Sequence, residues 1–184
     1  EAATYALAGA VTGGDVTLRH CRPGDLSAVL EKMREAGVRL DTGRNSLRVR
    51  AAKQLCSVDI TTMPHAGFPT DVQAQMMVLM LQSPGISIIT ERIFESRFMH
   101  VHELARMGAD ISIEGPSAIV KGGQALSGAD VMASDLRASA ALVLAGLAAK
   151  GTTRVNRVYH IDRGYDRIEH KLVDLGAKIH RSDE

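Results

Sequence analysis

Apolar positions along the chain fall into two kinds of helical pattern. In EAATYALAGAV, TDVQAQMMVLMLQ and SDLRASAALVLAGLAAK, apolar side chains run nearly all round the helix. A helix of that kind is buried on most of its sides. Elsewhere the apolar positions keep to one face: Leu26, Val29, Leu30 and Met33 in one helix, and Ile168, Leu172 and Leu175 in another. That spacing predicts amphipathic helices. Between the helices, strands are predicted at SLRVR (46–50), SVDIT (57–61), SAIVK (117–121) and ADVMA (129–133).

The pattern repeats. Stretches opening at Gly14, Gly85 and Gly151 each run through an alternating strand, a loop and an amphipathic helix to a second glycine, then a further strand. The closing glycines, Gly37, Gly108 and Gly176, stand 23, 23 and 25 residues after the opening ones, and glycine just past a helix end is the expected left-handed stop. Each stretch follows one of the all-round apolar helices. The prediction is a single domain over 1–184, of α/β (α+β) class, with three units at approximately 1–56, 57–122 and 123–184 arranged about a common axis. The all-round apolar helices would lie at the centre, with sheets and amphipathic helices outside. The first unit lacks a strand before its apolar helix, and the chain opens on Glu1 without a cap residue; a start inside a longer protein is therefore expected.

Composition narrows the function. Apolar residues make up 45% of the chain, aromatics only 3%, and Trp is absent, so aliphatic side chains and methionines fill the core. Lys and Arg number 22 against 21 Asp and Glu, with no basic run, which excludes the usual nucleic-acid signature. No segment reaches ~18 consecutive apolar residues, so no membrane span is expected. No signal peptide is visible, and Cys21 and Cys56 form no metal or redox motif, which predicts reduced thiols in the cytoplasm. There is no G-x-G-x-x-G and no P-loop, and no cofactor is expected. His100 and His102 stand two apart on a helix and face different sides, so no metal site is expected either.

The candidate chemistry lies at helix starts. Asp71, in HAGFPTDVQAQMM, opens a nearly all-apolar stretch. It reads either as a carboxylate favoured by the dipole of a helix over 71–82 or as a catalytic base held there. The helix end would lower its pKa and weaken it as a base. Asp135 opens the next apolar helix in the same way, as an N-cap or a chemical group. Arg97, Arg137 and Arg163 sit at or near helix starts, where a cation opposes the dipole. A guanidinium fork suits a carboxylate or phosphate, and the plain alternative for each is a salt bridge. The side chains of Ile93 and Phe94 read as core or edge residues.

The strings FPTDVQAQ, RFMHVHELARMGA, ASDLRASAALVLAGLAAKGTT and YHIDRGYDRIEHKLVDLGAKI resemble those of the enolpyruvyl transferases, densely from about Asp59 to Arg181 and more loosely over 14–56. The resemblance implies a two-domain enzyme, each domain an inside-out α/β barrel of three βαβαββ units, with the active site in the cleft between them. It further implies that UDP-N-acetylglucosamine binds first, the domains close, and the sugar 3-hydroxyl attacks phosphoenolpyruvate; a tetrahedral intermediate then loses phosphate. Carried onto this chain, Asp71 would contact the 3-hydroxyl as base, Arg163 would bind phosphoenolpyruvate, and Arg97 and Arg137 would line the cleft. Asp135 would lie near the reacting atoms, and Ile93, with Phe94 beside it, would meet the nucleotide-sugar through its backbone. The family's catalytic cysteine, in a Gly-Cys context, and its Lys-Asn pair are absent. The resemblance thus implies one domain, whose partner is an N-terminal, cysteine-bearing domain outside this chain, and predicts silence without it. Two alternatives stand beside this reading: the same transfer to shikimate 3-phosphate, and a non-catalytic ligand-binding or scaffold module.

Overall fold

The computed structural model of the chain describes residues 1–95 and 97–182. The three all-apolar stretches form α1 (Ala2–Val11), α3 (Gln73–Leu81) and α5 (Leu136–Ala148), which pack on one another pairwise. Every residue of α3 and every residue of α1 from Ala3 onward is buried. The amphipathic helices are α2 (Ser27–Glu35), α4 (Met99–Arg106) and α6 (Ile168–Asp174), each burying one stripe. Leu175 does not extend the stripe of α6, because it caps the helix and is exposed.

Strands β1 (Asp15–Arg19), β2 (Arg39–Thr42) and β3 (Ser46–Arg50) form an antiparallel sheet in the order β1-β3-β2. Strands β4 (Ile60–Thr61), β5 (Gly85–Thr90), β6 (Asp110–Glu114) and β7 (Ser117–Gly122) form a second sheet, β4-β5-β7-β6, in which only β4 and β5 are parallel. Strands β8 (Asp130–Met132) and β9 (Arg154–Asn156) pair in parallel. Each parallel pair is bridged by a buried helix, α3 or α5, as a crossover requires. Among the described residues no helix is long and apolar enough to cross a membrane.

The three amphipathic helices end alike. Gly37, Gly108 and Gly176 have φ of 93°, 89° and 95°. In each case the following residue donates its N–H back across the turn: Val38 to the Met33 carbonyl, Ala109 to that of Leu104, and Ala177 to that of Leu172. This is the six-to-one closure of a Schellman motif, which only a left-handed residue permits.

Three expectations need correction. The strand predicted over 57–61 pairs only at Ile60 and Thr61, because side chains satisfy the preceding backbone: Val58 N–H donates to Ser87 Oγ (3.1 Å), and Asp59 Oδ1 takes the Ile88 N–H (2.8 Å). The strand predicted after Gly176 is absent among the described residues; β2 and β6 owe their ladders to the hairpin partners β3 and β7, and 177–182 has none. The helix predicted from Asp71 starts as a 3-10 turn, Thr70–Val72, before α3.

Candidate active site

Asp71 lies on that 3-10 turn, and its carboxylate caps nothing. It reaches sideways instead. Arg137 Nη2, from the first turn of α5, donates to Asp71 Oδ2 at 2.9 Å, and Arg97 Nη1, just before α4, approaches Oδ1 at 3.4 Å. The Asp71 side chain stays 52% exposed while the two arginines are 24% and 23% exposed, so the cations are rooted and the carboxylate faces solvent. Burial pushes the Asp71 carboxyl up, but the hydrogen bond and charge of Arg137 and the charge of Arg97 outweigh it and hold the group below the usual carboxylate range. The plain alternative offered by the sequence, an ion pair, is thus present, but it joins two different helix starts to one carboxylate.

Asp135 is the N-cap of α5. Its Oδ1 accepts from the N–H groups of Arg137 (2.8 Å) and Ala138 (2.9 Å), which satisfies orphan donors of the first turn and fixes the backbone carrying Arg137. Arg163 ends a 3-10 turn, Val158–Arg163, is exposed, and its side chain makes no ion pair or hydrogen bond among the described residues. It stands next to Gly164, whose Cα packs so closely on Leu136 that a Cβ there would lie 2.8 Å from Leu136 Cδ2. That contact sets the turn beside the start of α5, but Arg163 itself does not join the Asp71 cluster. Of the two readings their side chains allowed, core or edge, Ile93 and Phe94 take the edge: they are 40% and 58% exposed. Their loop is held from below by its backbone, and the Phe94 ring carries the Arg97 guanidinium 5.1 Å from its centroid, within cation–π range.

Six residues that the sequence reading did not single out complete the cluster: Glu91, Thr62, Thr70, Tyr165, Thr4 and Gln75. Glu91 is 3% exposed at the end of β5, and its carboxylate accepts four hydrogen bonds: from Thr62 Oγ1 (2.6 Å), Ile93 N–H (2.8 Å), Phe94 N–H (3.1 Å) and Thr70 Oγ1 (2.8 Å). Thr70 Oγ1 in turn accepts from Arg97 Nη1 at 3.1 Å. Burial raises the Glu91 carboxyl, but these donors outweigh it and leave the pKa below normal, so it is ionised. On the other side, Tyr165 is buried and shares a 2.7 Å hydrogen bond with Thr4 Oγ1 on α1. Gln75 Nε2 on α3 donates to Thr4 Oγ1 (3.3 Å) and to the Asp71 carbonyl (3.1 Å). The only hint in the sequence was a lone glutamate closing an apolar strand, GISIITE.

His100 lies on the buried side of α4, with no partner for Nε2 among the described residues, and His102 on the exposed side. Among the described residues no three His, Cys, Asp or Glu side chains group as metal ligands.

Asp71, on the turn that leads into α3, thus stands between Arg97, just before the amphipathic helix α4, and Arg137, in the first turn of the buried helix α5. The model of the EPSP synthase (3-phosphoshikimate 1-carboxyvinyltransferase) family matches residues 1–172, and the chain belongs to that family of enolpyruvyl transferases. It is 58% identical over 181 residues to the UDP-N-acetylglucosamine 1-carboxyvinyltransferase of Myxococcus xanthus and 60% identical over 182 residues to that of Magnetococcus marinus. Each match covers 98% of this chain and 43% of the relative, so the chain spans less than half the length of these enzymes. The crystal structure of the enolpyruvyl transferase NikO from Streptomyces tendae superposes with a TM-score of 0.87 at 31% identity, over 97% of this chain and 43% of that one. EPSP synthase from Acinetobacter baumannii, at a TM-score of 0.61 and 22% identity, over 90% of this chain and 43% of that one, shares the fold.

Proposed function

We propose that this chain supplies one wall of the cleft of an enzyme that transfers enolpyruvate from phosphoenolpyruvate to the 3-hydroxyl of UDP-N-acetylglucosamine, the first committed step of peptidoglycan synthesis, in the cytoplasm. The observation that carries the reading is Asp71 held between Arg97 and Arg137 on an open face. In this reading the sugar hydroxyl oxygen bonds to C2 of phosphoenolpyruvate and its proton passes to Asp71, while C3 takes a proton from an acid of the cysteine-bearing domain. The tetrahedral intermediate then returns a C3 proton to that group as its C2–O bond to phosphate breaks and phosphate leaves. Arg97, Arg137 and Arg163 take the carboxylate and phosphate charges, Asp135 fixes the Arg137 backbone beside the reacting atoms, and the Ile93–Phe94 loop meets the nucleotide-sugar.

The fold proposed with it is an inside-out barrel of three βαβαββ units, approximately 1–56, 57–122 and 123–184. It is supported by the mutual packing of α1, α3 and α5 and by the three matching glycine endings. Much of the rate of such a reaction comes from orientation, and half a cleft cannot orient two substrates; the chain alone is therefore silent. The test is phosphate release from phosphoenolpyruvate and UDP-N-acetylglucosamine, by this chain alone and after adding the separately made cysteine-bearing domain. Turnover only in the mixture is expected. Robust turnover by the lone chain, or turnover with shikimate 3-phosphate in place of the nucleotide-sugar, overturns the reading.

A further inference from the structure

Glu91 is a carboxylate sealed from water that has no cation of its own within ion-pair distance among the described residues. Ionised side chains are rarely buried without a direct countercharge, and the hydrogen bonds around this one have a definite polarity. A carboxylate can only accept. A threonine hydroxyl has one hydrogen, and Thr70 gives it to Glu91 Oε2 at 2.8 Å, so only lone pairs remain to face Arg97 Nη1 at 3.1 Å. Thr62 is fixed in the same sense: it donates to Oε1 at 2.6 Å and accepts the Arg92 N–H at 2.8 Å. The remaining bonds to Oε1 come from the Ile93 and Phe94 N–H groups, and the ring of Phe94 underlies Arg97. Glu91 thus grips Arg97 from two directions, through the oxygen it accepts and through the loop whose aromatic ring supports it.

We propose that Glu91 is a positioning residue that, through Thr70 and the Ile93–Phe94 loop, holds Arg97 against Asp71 in the geometry the transfer reaction uses. Its catalytic half rests on the function proposed above; its structural half does not. In Glu91→Gln an amide nitrogen replaces one acceptor oxygen, which leaves the Thr70 hydrogen free to turn and the Arg97 contact without an oriented acceptor. Thr70→Val cuts the same relay but leaves the other three bonds of Glu91 intact, and it serves where Glu91→Gln does not fold.

The test has two readouts. The first is the titration of Asp71, followed by carbonyl-carbon NMR in the protein. The groups facing this carboxylate are Arg97 and Arg137. Both variants should move the midpoint upward, because Arg97 withdraws while Arg137 keeps its share. The second is steady-state turnover of the complete enzyme, where each variant should lower kcat by about tenfold, the worth of one hydrogen bond to a charged group, and the double variant should lose no more than the worse single one. A shifted Asp71 titration in a protein that shows no transferase activity even unsubstituted upholds the positioning and removes the function. Folded variants with a lower melting temperature but an unmoved Asp71 titration and unchanged kcat overturn the proposal, leaving Glu91 a purely structural carboxylate.

Discussion

His100 is the group through which acid should undo this fold. It is 2% exposed on the inner side of α4, and among the described residues its Nε2 has no hydrogen-bond partner. Burial drives its pKa from 6.5 down to about 4, with the Asp135 charge opposing and the Arg97 charge assisting. A histidine depressed in the folded state is neutral there while the unfolded chain takes up its proton near pH 6.5. Its contribution to stability is therefore complete above pH 6.5, falls as the pH drops through that value, and is spent at about 4, where the folded form protonates too. The span of about 2.5 pH units corresponds to roughly 3 kcal/mol, a large share of a typical 5–15 kcal/mol total, as order-of-magnitude figures. The perturbation is His100→Leu, which removes the orphaned nitrogen and the titration together and should lie within about 1.5 kcal/mol of the parent at pH 7.5. Urea unfolding of parent and variant from pH 7.5 to 4 reads the difference, in which the common carboxylate titrations cancel. The variant should gain on the parent steadily below pH 6.5. Parallel stability curves across that range would refute the reasoning, since they would mean that His100 is hydrated or charged in the folded protein.

Other substitutions separate stability from chemistry. Arg137→Met removes a pair whose carboxylate is half in water, so at pH 7 it should cost about 1 kcal/mol or less by denaturant titration. Since the Asp71 pKa is depressed, that cost should fade below about pH 4, yet phosphate release by the complete enzyme should fall by roughly a hundredfold. Gly122→Ala sets a Cβ 2.1 Å from the Met80 carbonyl oxygen and 2.2 Å from that of Ser83, both backbone atoms that cannot turn aside; a loss of roughly 3–5 kcal/mol or failure to fold is expected, read by thermal melting. Tyr165→Phe removes the buried bond to Thr4 and a neighbour of Arg137, and should cost about 1–2 kcal/mol in the same assay.

Elements governed by local periodicity were legible in the sequence. The all-round apolar stretches became the buried helices α1, α3 and α5, and the glycines at 37, 108 and 176 closed helices with left-handed backbone, because no contact from elsewhere competes with those signals. Reading broke down where a side chain took over a backbone's role or a carboxylate chose a distant partner. Residues 57–59 alternate like a strand, but Ser87 and Asp59 satisfy the backbone groups a ladder would use. Asp71 sits where a cap would sit, but its strongest partner is a guanidinium 66 residues away. Asp135, with the same local look, does cap its helix, and nothing in the two neighbourhoods of sequence distinguishes them. Glu91 escaped notice because its four donors come from Thr62 just after β4, the Thr70 turn and its own loop, which only the tertiary fold assembles.

The resting geometry poses a question of chemistry, since a carboxylate held below its usual pKa by two arginines is a weak base. In the proposed reaction the same two guanidiniums would also meet an anionic substrate. An anion seated on Arg97 and Arg137 draws their N–H groups from Asp71 and adds a like charge beside it, and both changes raise the Asp71 pKa. Binding of the first anion would thereby strengthen the base only when there is a substrate to act on. Saturating the protein with phosphoenolpyruvate, or with inorganic phosphate as the simpler probe, should move the NMR titration of Asp71 upward, and Arg137→Met should already show part of that rise without ligand. An Asp71 midpoint that stays put or falls at saturation would place the anion elsewhere and leave the two arginines as structural partners of the carboxylate.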